Sequence, residues 1–248
     1  MKLKNKNPRG PKSWNKEETK ARNVEMAMEL GELVKKFHAC KKQALLVVLQ
    51  GSDASGKDGT IREVFKFVNA IAINVHSFKK PSEIEMSHDY LWRVHKNLPA
   101  KGMIQIFNRS HYEDILVPGV EGFIPKKVVD KRFKHINDFE AMLEDNGTKI
   151  LKFFLHVSKE KQEERLLERM TMPHKFYKHN DGDWKTREKY DQYMAKYEEI
   201  FEKCNDVAWH YVPCDRNWTK IHTVLTEIIK TIREMDLEWP ALETELKQ

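Results

Sequence analysis

The chain has little that would fix its shape covalently or seat it in a membrane. Its cysteines are Cys40, Cys204 and Cys214. An odd count at such wide spacing builds no disulfide framework and no CxxC metal pair, so three reduced, partly buried thiols are expected. No apolar run approaches the ~20 residues that a spanning helix needs. The N-terminus, Met1-Lys-Leu-Lys-Asn-Lys6, is basic but lacks the apolar stretch of a secretory signal. A cytoplasmic location and no membrane partner follow as expectations. Internal repeats and low-complexity tracts are also missing. So are zinc-finger, RNP-type and GXXG signatures, and no specific nucleic acid is expected as a partner.

What is present is an ordinary globular composition. The 248 residues are 40% apolar, enough for a sizeable core, and a third are charged. The formal net charge of +6 favours anionic partners without choosing among phosphates, nucleic acid and an acidic surface.

Residues 1–14 read as a basic tail or clamp, residues 15–235 as one domain, and residues 236–248 as a C-terminal tail. Helical spacing of Val24, Met28 and Val34 predicts a helix from Asn15 to about Lys36. Ala44 to Leu49 is a short β-branched run, as in a strand buried on both faces. Further strands are predicted over Ile71–Phe78, Gly102–Phe107, Lys149–Leu155 and Val207–Val212. Helices are predicted over Ile61–Val68, Glu83–Leu98, Pro125–Leu143, Glu160–Met170 and Trp218–Met235. The alternation implies an α/β fold, a parallel sheet with helices on both faces. Residues 171–190 break it. Lys175, Lys178, Lys185, Arg187 and Lys189 lie there among Asn, Asp and Gly, as in an inserted basic segment.

Gly51, Gly56 and Lys57 fit the GxxxxGK core of a phosphate-binding loop, with an apolar strand before it and a helix after it. The glycines let backbone N–H groups turn toward one anion, and the helix N-terminus adds partial positive charge. Lys57 can supply an ammonium to the transferring phosphate. Position 58 departs from the usual Ser or Thr that holds Mg²⁺. Asp58 stands there, and Asp53 or Thr60 can take over that task. The plain alternative is a turn rich in small residues with Lys57 solvated.

A second cluster, Asn108-Arg109-Ser110-His111-Tyr112-Glu113-Asp114, ends the third strand. Ligands of open α/β sheets sit at such carboxyl ends. Arg109 can bridge phosphoryl oxygens, and Glu113 with Asp114 can hold Mg²⁺. Helix capping from Ser110 to Glu113 is the bland counterpart, and the two readings are compatible. His111 reads as a hydrogen-bonding prop rather than a base. An ionised phosphate acceptor needs none.

Gly51-Ser-Asp-Ala-Ser-Gly-Lys-Asp-Gly-Thr60 and Asn108 to Asp114 resemble the paired Walker motifs of the polyphosphate kinase 2 family. Ser77-Phe-Lys-Lys-Pro81 and His88-Asp-Tyr-Leu-Trp-Arg93 are similar to its intervening segments. Arg165, Arg169, Pro173, Lys175, Lys178, Asp183 and Arg187 look like its lid. Trp209, Pro213, Asp215 and Trp218 fit its C-terminal pattern. Met172 and Tyr177 depart from it, where lids of the family commonly carry Asp and Trp. The similarity covers roughly residues 14–235.

The resemblance implies a P-loop kinase-like fold with a helical lid at about 171–190. It also implies transfer of the terminal phosphoryl group of inorganic polyphosphate to AMP and/or ADP, reversibly, with Mg²⁺ or Mn²⁺. AMP, ADP and ATP are then partners, and a homo-oligomer (dimer or tetramer) is expected. Asn108 with the Glu113-Asp114 pair points to the subgroup accepting both AMP and ADP. Within this reading Asp53, Lys57 and Arg109 are catalytic. Ser55, Gly56, Lys57, Arg62, Lys79 and Lys80 hold polyphosphate. Asp53, Asn108, Glu113 and Asp114 hold the nucleotide phosphates, and Asp53, Glu113 and Asp114 the metal. Lys175, Lys178 and Arg187 close from the lid. The rivals are an ATP-dependent nucleoside monophosphate kinase, against which Asp58 argues, and a non-catalytic polyanion- or RNA-binding protein.

Overall fold

In the computed structural model, which describes residues 1–243, five strands form one parallel sheet of order β2-β3-β1-β4-β5. The chain runs α1 (Lys16–Cys40), β1 (Ala44–Gln50), α2 (Lys57–Val64), β2 (Ile73–Ser77), α3 (Glu83–Met86), α4 (Trp92–His95) and β3 (Ile104–Asn108). It continues with α5 (Glu113–Glu121), α6 (Lys126–Asp145), β4 (Thr148–His156), α7 (Lys159–Thr171), α8 (Asp181–Glu188), α9 (Tyr190–Lys203), β5 (Trp209–Pro213) and α10 (Asn217–Glu234).

Central β1 is buried along its whole length, because both faces of the sheet are covered. Successive side chains point to opposite faces of a strand. Leu45, Val47 and Leu49 therefore join the core beneath α1, α2 and α10, with Leu151, Phe153 and Leu155 of β4. Leu46 and Val48 join the core on the other face, under α5, α6 and α9, with Phe154 of β4 and Phe107 of β3. The register Leu49↔Asn108 and Gln50↔Phe154 brings the carboxyl ends of β1, β3 and β4 together. The two sequence motifs thus emerge side by side.

Several elements differ from the sequence expectation. The helix expected over Glu83–Leu98 is two short pieces. A capping box between Ser82 and Glu85 starts the first, and the Asp89 carboxylate accepts the amides of Leu91 and Trp92 to start the second. The helix expected from Ile61 begins four residues earlier, at Lys57. Residues 1–14 lie against the domain. Leu3 is buried, its amide donates to Glu198 at 2.6 Å, and Pro8 accepts from the Asp215 amide at 2.9 Å. Of the C-terminal tail expected over 236–248, residues 244–248 lie outside the described residues.

Candidate active site

The loop between β1 and α2 is shaped by what surrounds it. A Cβ at Gly51 would stand 2.5 Å from the Leu155 carbonyl oxygen on β4, so only glycine passes there. Gly56 starts α2 at φ 91°, in the left-handed region that favours glycine. Lys57 is buried and turns inward, donating to the Gly51 carbonyl at 2.8 Å and the Ser52 carbonyl at 3.1 Å. Burial, reinforced by the charge of Arg109 and opposed by Asp53, Glu113 and Asp58, lowers its pKa to about 8. Helix α7 braces the same loop. Gln162 donates to the Asp53 carbonyl at 3.1 Å and Arg165 to those of Ala54 and Ser55 at 2.9 and 3.3 Å.

Arg109, directly after β3, adopts φ 63°, an uncommon conformation for a residue with a side chain. Its amide donates to the Leu49 carbonyl at 3.0 Å, which fixes the backbone between the strands. Its guanidinium bridges two carboxylates: one arm bonds Asp53, and the other reaches Glu113 at 3.1 Å. Glu113, together with Asp53 and against the cost of burial, raises the pKa of Arg109 and keeps it charged. Asn108 donates to Asp58 at 2.7 Å and ties β3 to the first turn of α2.

Behind the motif lies a buried polar cluster. Glu140 of α6 accepts from Tyr112 at 2.7 Å and from Lys152 of β4 at 2.7 Å, and bonds His111 at 3.1 Å. Burial alone would raise the Glu140 carboxyl. The His111 bond and the Lys152 charge outweigh it and hold the pKa below its ordinary value. His111 is fully enclosed, and it serves as a prop, as the sequence reading has it.

Two cavities meet at Asp53 and Arg109, which line both. The first, of about 310 Å³, runs over the phosphate loop. Lys57, Arg109, Arg165, Arg169, Lys175 and Lys178 line it, against Asp53, Asp58 and Glu168. The second, of about 560 Å³, combines Asp53, Arg109, Glu113 and Lys80 with Phe123, Tyr190, Tyr193, Met194 and Tyr197. Cations dominate one, and aromatic and apolar surface distinguishes the other. Arg169 on the first cavity pairs with Asp183 on the second at 2.6 Å, which pins α8 to α7 over the junction. Burial, with repulsion from Asp53, raises the pKa of Asp183.

Of the expected site residues, Asp53 and Arg109 line both cavities, Gly56, Lys57, Asn108, Lys175 and Lys178 the first, and Lys80 and Glu113 the second, while the others lie outside them. Asp114 lines neither cavity. Its carboxylate pairs with Arg93 at 3.0 Å, and burial raises its pKa against the pull of that arginine. Arg62 is exposed and pairs with Glu63. Lys79 lines neither cavity, and Lys80 faces the second rather than extending the loop. Asn108 lines the first cavity and not the second. Ser55 is buried under the loop, 3.5 Å from the Lys57 ammonium. Arg187 of the lid segment pairs with Glu163 and also lines neither cavity. Thr60 spends its hydroxyl on the Gly56 carbonyl at 3.0 Å.

Among the described residues no three His, Cys, Asp or Glu side chains gather to hold a metal ion. The trio Asp53, Glu113 and Asp114 therefore does not fit one. Glu113 has both oxygens engaged, by Arg109 and by Gln50 at 3.1 Å. Asp53 fits better, with a single oxygen bonded to Arg109 and a place on both cavities. One carboxylate completed by phosphate oxygens and water is an ordinary donor set for Mg²⁺.

Two contributors escaped the sequence reading. Lys220 of α10 is buried and donates to the Gly56 carbonyl at 3.1 Å, and nothing in its local sequence signals that reach. Helix α9 supplies Tyr190, Tyr193 and Tyr197. Their spacing, continued by Ile200 and Phe201, is helical and was available as a signal.

Known proteins resemble this chain in sequence and in fold. A family model described as "Polyphosphate kinase 2" matches residues 13–240. An "AMP/ADP-polyphosphate phosphotransferase" of Meiothermus ruber is 45% identical over 217 residues, covering 87% of this chain and 81% of that protein. An "ADP-polyphosphate phosphotransferase" of Rhodopseudomonas palustris is 37% identical over 226 residues, covering 85% of this chain and 78% of that protein. The crystal structure of polyphosphate kinase 2 from Arthrobacter aurescens superposes with a TM-score of 0.95 at 33% identity, over 99% of this chain and 90% of that one.

Proposed function

The chain belongs to the polyphosphate kinase 2 family, and from its site we propose that it transfers the terminal phosphoryl group of inorganic polyphosphate to AMP and ADP. The observation that carries this is the pair of unlike cavities joined at Asp53 and Arg109. A polyanion without a base suits the first, where cations line the phosphate loop. A nucleotide suits the second, where Arg109 and Lys80 can meet its phosphates and the tyrosines its base.

In this reading Lys57 leaves the carbonyls of its own loop and takes the donor's terminal phosphoryl oxygens. Arg109 spans donor and acceptor and offsets the charge gathered between them. An acceptor phosphate oxygen bonds to the terminal phosphorus, the bridging P–O bond breaks, and the shortened chain leaves with the electron pair. The acceptor is already ionised, so catalysis reduces to alignment and neutralisation of charge. Mg²⁺ held by Asp53 would supply further positive charge at the phosphates. Arg169 and Asp183 keep the lid segment over the junction and water away from the donor. A cytoplasmic homo-oligomer belongs to the same reading, supported by the free thiols, by exposed Val75 on edge strand β2 and by exposed Ile71 just before it.

The test is the donor. AMP incubated with purified protein, Mg²⁺ and polyphosphate as sole donor is expected to give ADP and then ATP, followed by chromatography. Turnover with ATP as donor and none with polyphosphate would sink the reading in favour of a nucleoside monophosphate kinase.

A further inference from the structure

A phosphate loop has two sides. Its N–H groups converge on the anion, and the carbonyls that Lys57 does not take find partners elsewhere. Two cations, Arg165 and Lys220, reach those of Ala54, Ser55 and Gly56, and the Gly56 carbonyl also accepts the Thr60 amide and hydroxyl, each at 3.0 Å. Arg165 donates from one guanidinium nitrogen to the carbonyls of Ala54 and Ser55 at 2.9 and 3.3 Å, and from the other to the Cys214 carbonyl at 2.6 Å. The Lys220 ammonium donates to the next carbonyl along, that of Gly56, at 3.1 Å. Asn217 is the acceptor they share, at 3.5 Å from Arg165 and 3.3 Å from Lys220.

Lys220 differs from Arg165 in one respect. Arg165 lines the cationic cavity, whereas Lys220 is 2% exposed and does not. It touches an anion there only through the loop backbone. The fit is close, since a Cβ at Gly56 would collide with the ammonium. Gly56 is favoured by its left-handed φ, and any side chain there would displace the Lys220 ammonium from its place.

We propose that Lys220 is a positioning residue for the phosphoryl donor. It holds the Gly56 carbonyl outward from behind, so that the amides opening α2 aim at the terminal phosphates. This rests on the reading of the first cavity as the polyphosphate site. A residue serving only to anchor α10 would affect stability alone. One that sets the loop affects the donor and spares the nucleotide.

The experiment compares wild type with Lys220→Met and Lys220→Arg. It reads KM for polyphosphate, KM for AMP, and Kd for inorganic tripolyphosphate by calorimetry. Lys220→Met is expected to raise the donor KM and the tripolyphosphate Kd roughly 10- to 100-fold, the scale of one charge-assisted hydrogen bond. The KM for AMP stays within about twofold, and Lys220→Arg recovers most of the loss because it keeps a charged donor. Unchanged constants in Lys220→Met, a parallel rise of both KM values, or an arginine no better than methionine would each overturn the proposal. Should Lys220→Met fail to fold, Lys220→Gln is read with the same expectation. A wild type that binds tripolyphosphate but transfers nothing defeats the functional reading, and the Kd ratio still decides on Lys220. A wild type that does not bind it overturns both.

Discussion

Lys57 sits among its own loop carbonyls with a pKa lowered to about 8 by burial, by Arg109 beside it and despite three nearby carboxylates. The free protein therefore holds Lys57 as ammonium at pH 7 and loses that proton through pH 8 to 9. Bound polyanion favours the charged form and moves the pKa back up. Since kcat/KM follows the free enzyme and kcat the complex, kcat/KM for polyphosphate should fall above about pH 8 while kcat holds to higher pH. Lys220, also lowered to about 8 by burial, adds to the same limb. A profile of kcat/KM that stays flat to pH 9.5 would contradict this. Asp53, Lys57 and Arg109 were legible because the motifs place them at strand ends. Asp114 and Glu113, paired in the sequence, meet different partners because neighbouring positions on a helix point in different directions. Glu113 reaches Arg109 while Asp114 turns to Arg93. Lys79 and Lys80 part company in the bend after β2, where only Lys80 reaches the second cavity.

At the scale of elements, the cluster of Glu140, Lys152, Tyr112 and His111 joins α6, β4 and the turn after β3 in one buried network. His111 and Tyr112 follow Arg109 closely in the chain, so the network also holds the backbone that aims the arginine. Removing one charge from such a buried pair leaves the other uncompensated and costs about 3–5 kcal/mol. Glu140→Gln should lose that much in urea denaturation, with the melting point falling by roughly 6–20 °C. A loss under about 1 kcal/mol would contradict this. Sequence periodicity could not reveal this network, because Lys152 falls within an apolar strand and Glu140 within a charged amphipathic helix. It also missed α9, whose tyrosines reach the second cavity after a segment rich in Lys and Asp.

Across the whole molecule, the sheet follows from short apolar runs separated by amphipathic helices. The runs of β1, β3, β4 and β5 split their residues between two cores, and these two covered faces made the parallel sheet readable. The motifs predicted where ligands gather, because the carboxyl ends of β1, β3 and β4 converge there. What remained hidden depends on distant chain segments. Arg165 and Lys220 arrive at the phosphate loop from α7 and α10, more than a hundred residues on. Division of labour between the two cavities is the central claim, and two exposed side chains isolate it. Lys178 lines the first cavity and Phe123 the second. The most direct measurement is the pair of Michaelis constants, for polyphosphate and for AMP, in Lys178→Ala and Phe123→Ala. Lys178→Ala should raise the polyphosphate constant alone, and Phe123→Ala the AMP constant alone, each by roughly three- to tenfold, the scale of a single solvent-exposed interaction. The reverse pattern, or both constants rising in both variants, would contradict the assignment of donor and acceptor.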